Sequence, residues 1–487
     1  VSRHMVYSPV SYIKRVWMWR LIMKKKMWIV IIVCLVITGC AVKEDKADTK
    51  EISYVEESYV ETKEEEALEE DDTWKNFPFP YNSGEAKYDE ERKQFYYSLK
   101  EVLEDYDIMW QQLEENCAYM AVAEEELGID LEEVKRKGRS YFSGGKLREG
   151  KTVPQDLLML GLEKSFEDLK NLGHVSVLKP YVYEWLINLD MLEGDDLTRG
   201  FGKVRKNRQD LFQNEKSEAF YGCFLKQYNG SNNVEKTEIT EEKKNMEIQN
   251  VEIQEVNGIP CVKISTFSTE DSDITILRNF FEENKAADNI IIDIRGNGGG
   301  STRTWAEGIV APLIDEKVSY EELWGVKSGK LNEYYWGGAL PDNASDPLSK
   351  EEIREKFPDV NIAEDDSVKY VVYTNVVDVA EKHCEFKGKL WLLVDEQVYS
   401  AADAFTAWCK NTKFATIIGK TTIGNGGGGE IQSIVLPNTG IIIMYDAYMA
   451  FNSDGSYNGI HGEHPDIEIA EDEDALEVCL KAIEASK

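Results

Sequence analysis

The sequence has 487 residues, with 90 acidic and 56 basic side chains and a net charge of −34. This excess of negative charge disfavours nucleic acid as a partner. Hydrophobic residues make up 42% and aromatic residues 11% of the chain, which is enough for a packed core. A disordered or fibrous chain is therefore excluded, and the length suggests about two or three domains.

The first 40 residues carry seven basic groups and no acidic one. Three lysines at residues 24–26 precede the apolar run 27–39, which is shorter than the roughly 20 residues of a spanning helix but typical of a signal-peptide core. The segment LVITGC (residues 35–40) resembles the end of a bacterial lipoprotein signal. We expect Cys40 to be lipidated and to anchor the protein to the outer side of the cell membrane, although an ordinary secretory signal with a chance cysteine is the alternative.

Three further segments follow the expected signal and upstream extension at residues 1–40. Residues 41–72 contain 14 acidic and four basic side chains. This composition predicts a solvated tether, which we place at residues 41–84. Residues 85–180 predict a helical region. One helix has Phe95 to Leu113 on a single face, and a second runs from Pro154 to Gly173, directly before His174. Residues 181–247 remain unassigned.

Residues 248–487 alternate between apolar runs and helical patterns, which is typical of an α/β domain. The predicted strands are 262–267, 289–294, 368–373, 390–394 and 414–418, and the predicted helices are 274–286, 304–314 and one that begins near Ser400. Residues 431–436 and 441–445 predict a β-hairpin.

Six cysteines follow Cys40, at positions 117, 223, 261, 384, 409 and 479. They contain no CxxC pair, so the sequence predicts neither a zinc site nor a redox motif. An exported chain could pair them in 15 ways. Since several lie in apolar runs, buried thiols are the simpler expectation.

Ser400 follows a predicted strand and begins a helix, which is a frequent position of nucleophilic serines. It could equally cap that helix together with Asp403. The GKT at residues 419–421 does not complete a phosphate-binding loop, because Phe414 stands where a glycine is required. Taken alone, the segment favours the cap.

Three motifs occur together: DIRGNGGG (residues 293–300), VDEQVYSAAD (residues 394–403) and IGKTTIG (residues 418–424). They resemble the C-terminal-processing (tail-specific) serine protease family over residues 258–469. The resemblance implies a crotonase-like, tail-specific protease core with Ser400 as nucleophile, Ala401 as one oxyanion donor and Gly298 or Gly299 as the other. The segment 175–246 lacks the pattern of the PDZ module that many members carry, so we predict no PDZ domain.

The usual lysine base of the family is replaced by Asn425, and Lys420 is a weak substitute. The tricorn-like branch uses a histidine that follows a helix, and residues 169–175 resemble that segment. We therefore expect His174 to be the base, although it could simply interact with carbonyls at the end of the helix. In that branch a serine precedes the histidine, whereas Gly173 stands here.

The same branch supplies a glutamate to orient the histidine, and Glu463 is our candidate, with Glu430 and Asp466 as competitors. Asp466 is more easily explained as part of a Pro-Asp turn.

The expected function is a lipid-anchored serine peptidase of the cell envelope that acts on exported proteins or peptides by a Ser-His acyl-enzyme mechanism. No metal or organic cofactor is implied. One alternative is an inactive peptide-binding or scaffolding lipoprotein on the same fold, and another is a lipoprotein that binds solutes or polysaccharides. The substrate, cleavage specificity, disulfide state and oligomeric state stay open.

Overall fold

The structure is a computed structural model that describes residues 86–144, 147–170, 172–188, 200–231, 250–267, 270–337, 340–427 and 429–486. The expected signal peptide, Cys40 and the acidic tether lie outside these residues. The described strands are β1 (Lys87–Asp89), β2 (Gln94–Ser98), β3 (Thr152–Pro154), β4 (Ser176–Val177), β5 (Val251–Val256), β6 (Ile259–Ile264), β7 (Asn289–Asp293), β8 (Val318–Lys327), β9 (Val368–Val377), β10 (Lys389–Val394), β11 (Thr416–Gly419), β12 (Gln432–Val435), β13 (Ile442–Tyr445), β14 (Tyr448–Ala450) and β15 (Ile467–Glu468).

A six-stranded sheet in the order β15-β11-β10-β7-β6-β5 forms the centre of the α/β domain. Its strands are parallel except for β5, which pairs antiparallel with β6. The inner strands are continuous apolar runs because both faces are covered. Ile290 and Ile292 face a core that includes the helices Asp271–Glu283 and Ala401–Thr412. Ile291 faces the C-terminal helix Ala475–Ala485 on the other side. The α/β fold class is confirmed.

The nucleophile candidate lies at the carboxyl edge of this sheet. β10 ends at Val394, and the helix Ala401–Thr412, called the Ser400 helix below, begins directly after Ser400. The turn DIRGNGGG starts at the end of the neighbouring strand β7. Since β7 and β10 are parallel, their following turns meet at the same edge.

The N-terminal helical region is confirmed, but its helices are shorter than predicted. The first begins at Leu99 and ends at Asn116, with Ser98 and Glu101 forming a capping box. Phe95 belongs instead to β2, which pairs with β1 and β3. The sequence prediction failed there because strand residues of β2 happened to continue the helical spacing.

The second helix, Gln155–Ser165, ends eight residues before the predicted Gly173. Two 3₁₀ turns, Glu167–Leu169 and Leu172–His174, replace its predicted last turns. Leu169 is nevertheless buried, as expected. The helical spacing of apolar residues therefore continues beyond the end of the α-helix into the 3₁₀ turns, and the predicted helix was too long for this reason.

The segment left unassigned by the sequence contains three described helices, Pro180–Asn188, Gly200–Phe212 and Glu215–Ser231, and β4 lies just before it. The remaining described helices and turns are Ala118–Ala121, Ala123–Leu127, Leu131–Ser143, Thr302–Trp305, Ala306–Val310, Ala311–Leu313, Lys330–Trp336, Lys350–Lys356 and Asn458–His461. The predicted helix 304–314 is thus divided by a π-helical turn at Ala306–Val310.

The predicted hairpin is confirmed as β12 and β13, and its turn docks on the N-terminal region. The buried Asp105 carboxylate accepts hydrogen bonds from Asn438 N at 2.9 Å, Thr439 N at 2.8 Å and Thr439 Oγ1 at 2.6 Å. Burial raises the pKa of Asp105 to about 7 despite these donors. One side chain therefore satisfies several polar groups of a turn more than 300 positions away.

The six cysteines that follow Cys40 are buried thiols in the structure, in agreement with the simpler expectation. Among the described residues, every helix is too short or too polar to cross a membrane.

Candidate active site

His174 is positioned by strand pairing. β4 pairs antiparallel with β13, with Ser176 opposite Met444 and Val177 opposite Ile443. Continued by two residues, this register places His174 opposite Asp446, and the Asp446 N–H donates to the Gly173 carbonyl at 2.8 Å. The histidine and the aspartate are therefore brought together by the backbone before their side chains interact.

Ser400 occupies a strained turn between β10 and the Ser400 helix. Its φ of 55° and ψ of −125° are unusual for a residue with a side chain, and such conformations cost on the order of 1–3 kcal/mol. The turn is held because Tyr399 N donates to the Asn297 carbonyl at 3.2 Å and Ser400 N donates to the Gly424 carbonyl at 3.0 Å. Two glycine-rich loops thus fix the position of the hydroxyl.

The side chains of Ser400, His174 and Asp446 form one hydrogen-bonded series. His174 Nε2 lies 3.0 Å from Ser400 Oγ, although the two residues are 226 positions apart. His174 Nδ1 lies 2.8 Å from Asp446 Oδ2, and both of these side chains are buried. The Tyr399 ring packs against the imidazole with a centroid distance of 5.0 Å. An imidazole held in this way can accept the serine proton while the carboxylate fixes its tautomer.

Asp446 occupies the position that the sequence prediction gave to Glu463, so that prediction is wrong. Glu463 lies instead beside Thr422, where its N–H donates to Thr422 Oγ1 at 2.7 Å. The two competitors are also engaged elsewhere. Glu430 forms ion pairs with Arg205 and Arg208, and Asp466 accepts from Ile417 N and Lys410 Nζ. The role in the Pro-Asp turn suggested for Asp466 agrees with these contacts.

Glu463 is a buried acid next to a second buried acid, Asp403. Burial, followed by the charge of Asp403, raises the pKa of Glu463 to about 8. Burial raises the pKa of Asp403 as well. Glu463 Oε2 has no hydrogen-bond partner among the described residues. A protonated Glu463 is therefore the favoured form near neutral pH.

The helix-cap interpretation of Ser400 is not supported by the contacts, because its hydroxyl makes no capping hydrogen bond. Asp403 is buried and serves a different purpose. It accepts from Thr422 Oγ1, from Asn458 Nδ2 at 2.8 Å and from Gly426 N at 3.1 Å. The residue expected to complete a capping box instead ties the Ser400 helix to the neighbouring loops.

The glycines predicted for the oxyanion hole have different environments. The Gly299 N–H donates to Asn297 Oδ1 at 2.9 Å, so it is already engaged. A Cβ atom at Gly299, where φ is 100°, would lie 2.7 Å from the Tyr399 carbonyl oxygen and 2.9 Å from Ser400 Cβ. Gly299 therefore allows the two loops to approach closely. Its N–H is not the free oxyanion donor that the sequence analysis predicted.

Gly173 explains why this site has no serine before its histidine. Its φ is 52°, and a Cβ atom would lie 2.5 Å from the Tyr119 ring. A side chain at this position would displace that buried ring. The direct contact between His174 and Asp446 makes an intervening hydroxyl unnecessary.

A cavity of about 400 Å³ opens onto the Ser400 hydroxyl. His174, Asp446, Ala401 and Gly300 line it, whereas Gly298 is absent from its lining and exposed. Ala401 is the first residue of its helix, where backbone N–H groups lack intrahelical partners. Sequence reasoning missed both Asp446 and Gly300. The described residues contain no cluster of His, Cys, Asp and Glu that could hold a metal ion.

Comparisons with known protein families concern the α/β part of the chain. Residues 258–469 match the model of Peptidase family S41. This part of the chain therefore has an S41-like protease fold.

Solved structures with similar folds include a protein from Parabacteroides merdae ATCC 43184, mature CPAF in complex with lactacystin, and the tricorn protease. Their identities to this chain are 16%, 13% and 14%. In the same order, the matched regions cover 80%, 76% and 55% of this chain and 95%, 94% and 20% of the other chain. The TM-scores are 0.44, 0.44 and 0.27. No curated protein matches significantly. The assignment to family S41 rests on the match over residues 258–469.

The segment that matches the S41 model lacks the lysine expected at position 425. Asn425 is buried and its Nδ2 donates to the Tyr399 hydroxyl at 3.1 Å. The Lys420 ammonium group lies 3.5 Å from Glu396 and 3.7 Å from Glu471. Lys420 thus pairs with surface carboxylates, while His174 is the group at the Ser400 hydroxyl.

Proposed function

We propose that this protein is a serine peptidase of the S41 type in which Ser400 is the nucleophile, His174 the general base and Asp446 the residue that orients the imidazole. The observation that carries this proposal is the 3.0 Å separation between His174 Nε2 and Ser400 Oγ. The Ala401 and Gly300 amides are the proposed oxyanion donors. Proteins or peptides are the substrate class that family membership implies.

The reaction proceeds in two acyl transfers. His174 takes the proton from Ser400 Oγ as this oxygen forms a bond to the carbonyl carbon of the substrate. The imidazolium then gives that proton to the leaving nitrogen as the carbon–nitrogen bond breaks. In the second half, His174 removes a proton from water as the water oxygen bonds to the acyl carbon; the bond between that carbon and Ser400 Oγ then breaks, and the imidazolium returns the proton to Oγ. The strained Ser400 turn is favourable here because it holds the hydroxyl at the helix N-terminus, where negative charge on the oxyanion is stabilised.

Labelling with a fluorophosphonate tests the proposal directly, because only an activated serine reacts. We expect the wild type to be labelled and Ser400→Ala to be unlabelled. Ser400→Ala, His174→Ala and the double variant should lower kcat/KM by similar large factors, on the order of 10⁴ to 10⁶, rather than multiplicatively. Lys420→Ala is the matched control and should remain active, since its ammonium group pairs with surface carboxylates.

Two results would contradict the proposal. A wild-type protein that neither reacts with the probe nor hydrolyses peptides would favour the scaffold on the same fold, for which the loss of the family lysine at Asn425 is the supporting observation. Activity retained by His174→Ala and lost by Lys420→Ala would transfer the role of base to Lys420.

We also propose that the peptidase acts at the cell envelope through a lipid at Cys40. The support is the LVITGC segment after a lysine cluster and a short apolar core. Two or more acyl chains suffice for stable anchoring. Cys40→Ala should move the protein from the membrane fraction to the soluble fraction, and unchanged retention would refute the anchor.

A further inference from the structure

The cavity beside Ser400 has one wall made almost entirely of apolar side chains. We call it the aromatic half, and it consists of Trp305, Tyr320, Val377, Ala401, Ala404 and Trp408. The Trp408 ring packs against Trp305 at a centroid distance of 5.8 Å and against Tyr320 at 5.7 Å. Other lining residues include Val182 and Trp185, in the helix that follows His174, and Met444, two positions before Asp446.

The chemistry at Ser400 determines which part of a substrate reaches each half. The leaving nitrogen must approach His174 Nε2 to receive its proton, so the chain after the scissile bond lies on the His174 side. The carbonyl oxygen points to the Ala401 amide at the start of the Ser400 helix. The residue that supplies the attacked carbonyl therefore extends away from His174, along the wall of that helix.

Three residues of the Ser400 helix form this wall. Ala401, Ala404 and Trp408 are spaced by three and four positions, which places them on one helix face. Ala401 and Ala404 present only methyl groups to the cavity, and the buried Trp408 ring lies one turn beyond Ala404. A longer side chain at either alanine would occupy the space between the serine and the tryptophan.

None of the six residues carries a charge. The Tyr320 hydroxyl is 3.4 Å from Glu322 Oε2. Glu322 Oε1 also accepts from Trp324 Nε1 at 2.7 Å and from Asn375 Nδ2 at 2.9 Å. Because these donors already engage its oxygens, Glu322 offers little to a basic side chain of a substrate.

We propose that the aromatic half binds a bulky apolar side chain, such as that of leucine or phenylalanine, on the residue whose carbonyl Ser400 attacks, and that Ala404 sets the depth of this subsite. The inference rests on the proposed peptidase function. Burial of such a side chain against Trp305, Tyr320 and Trp408 removes apolar surface from water, whereas a lysine or glutamate would lose hydration against a wall of six uncharged side chains.

The test uses the full chain and a series of peptides that differ only at the attacked residue, with alanine, leucine, phenylalanine, lysine or glutamate there. We expect the wild type to cleave the leucine and phenylalanine peptides with kcat/KM at least about tenfold above the alanine peptide, since each methylene bound in an apolar pocket is worth tenfold or more. The lysine and glutamate peptides should be cleaved most slowly.

Ala404→Leu should reverse this order, with a loss of at least about tenfold for the phenylalanine peptide and a smaller effect on the alanine peptide. Ala404→Ser is the matched control, because it keeps a small side chain at the same position and should keep the wild-type order. Labelling of Ala404→Leu by a small fluorophosphonate shows whether its Ser400 turn is intact. Val377→Ala enlarges the cavity at the same wall. This second variant should raise kcat/KM for the phenylalanine peptide, which is the opposite of the effect expected for Ala404→Leu.

The outcomes separate this inference from the proposed function. Absence of labelling and hydrolysis in the wild type would refute the peptidase proposal and the subsite with it. An active wild type that cleaves best after lysine, glutamate or alanine would overturn the subsite alone. An Ala404→Leu enzyme that is labelled normally and keeps the wild-type order of peptides would also overturn the subsite. If that variant does not fold, a Val377→Ala enzyme with no gain in kcat/KM for the phenylalanine peptide would do the same.

Discussion

Asp446→Asn exchanges one carboxylate oxygen for an amide nitrogen at the residue that contacts His174. In the structure Asp446 Oδ2 is 2.8 Å from His174 Nδ1, so Nδ1 carries the proton and Nε2 is free to accept from Ser400. If the new amide nitrogen of this variant faces Nδ1, the imidazole must move its proton to Nε2. The base then has no lone pair directed at the serine.

The opposite amide orientation is also unfavourable. It keeps an oxygen at Nδ1 but places the NH₂ group where Asp446 Oδ1 now lies, buried and without a hydrogen-bond partner among the described residues. An unsatisfied buried donor costs roughly 1–3 kcal/mol. Loss of the charge would by itself weaken the hydrogen bond to the imidazolium by about half. We therefore expect kcat/KM to fall by about 10³- to 10⁴-fold, as for a wrong tautomer in a serine triad.

The assay is peptide hydrolysis near pH 7, with the rate of fluorophosphonate labelling as a second measure and thermal unfolding as a check on folding. Glu463→Gln is the matched control. It makes the same change of carboxyl to amide at the residue that sequence reasoning preferred, and its activity should be far less affected because Glu463 is next to Asp403. The assignment of Asp446 would be refuted if kcat/KM of Asp446→Asn stayed within tenfold of the wild-type value. It would also be refuted if Asp446→Asn and Glu463→Gln lost activity equally.

Three other predictions concern the scaffold. Gly299→Ala should abolish most peptide hydrolysis, because the new Cβ atom would clash with the Tyr399 carbonyl. Gly296→Ala is the control and should retain activity, because Gly296 also has a positive φ but a Cβ atom there would meet nothing within 4 Å. Asp105→Ala should lower the free energy of unfolding by about 3 kcal/mol or more in denaturant titrations, because several buried donors lose their acceptor. Asp107→Ala, on the exposed side of the same helix, should cost less than about 1 kcal/mol. Because the pKa of Glu463 rises from 4.5 to about 8 on folding, the folded state binds more protons between these values and loses stability as pH rises. Glu463→Gln should therefore have a higher Tm than wild type above about pH 8 and a similar Tm near pH 4, as measured by calorimetry.

The sequence was informative where function and local pattern coincide. Ser400 could be identified because it stands between a buried strand and a helix and within motifs of a known family. His174 could be proposed because residues 169–175 resemble the histidine segment of the tricorn-like branch. The hairpin was predictable from two apolar runs joined by Pro437 to Gly440, and the structure pairs them as β12 and β13.

Asp446 was missed because its role depends on a strand pairing that local pattern does not reveal. β4 has only two residues, too few to predict, yet its register with β13 places His174 opposite Asp446. Asp446 directly follows the predicted strand 441–445, and a carboxylate at a strand end was the available signal. Glu463 was preferred from the resemblance, which could not show that this residue lies beside Asp403.

The pairing of β4 with β13 has a consequence for dissection of the chain. Ser400, Asp446 and the glycine turn belong to the segment matched to family S41, whereas His174 precedes that segment by more than 80 positions. A fragment that begins at residue 250 would retain a nucleophile and an aspartate but no histidine between them. Under the proposed mechanism, the smallest unit able to complete a turnover must therefore include the N-terminal helical region, and a fragment with boundaries chosen from the family match alone should be inert.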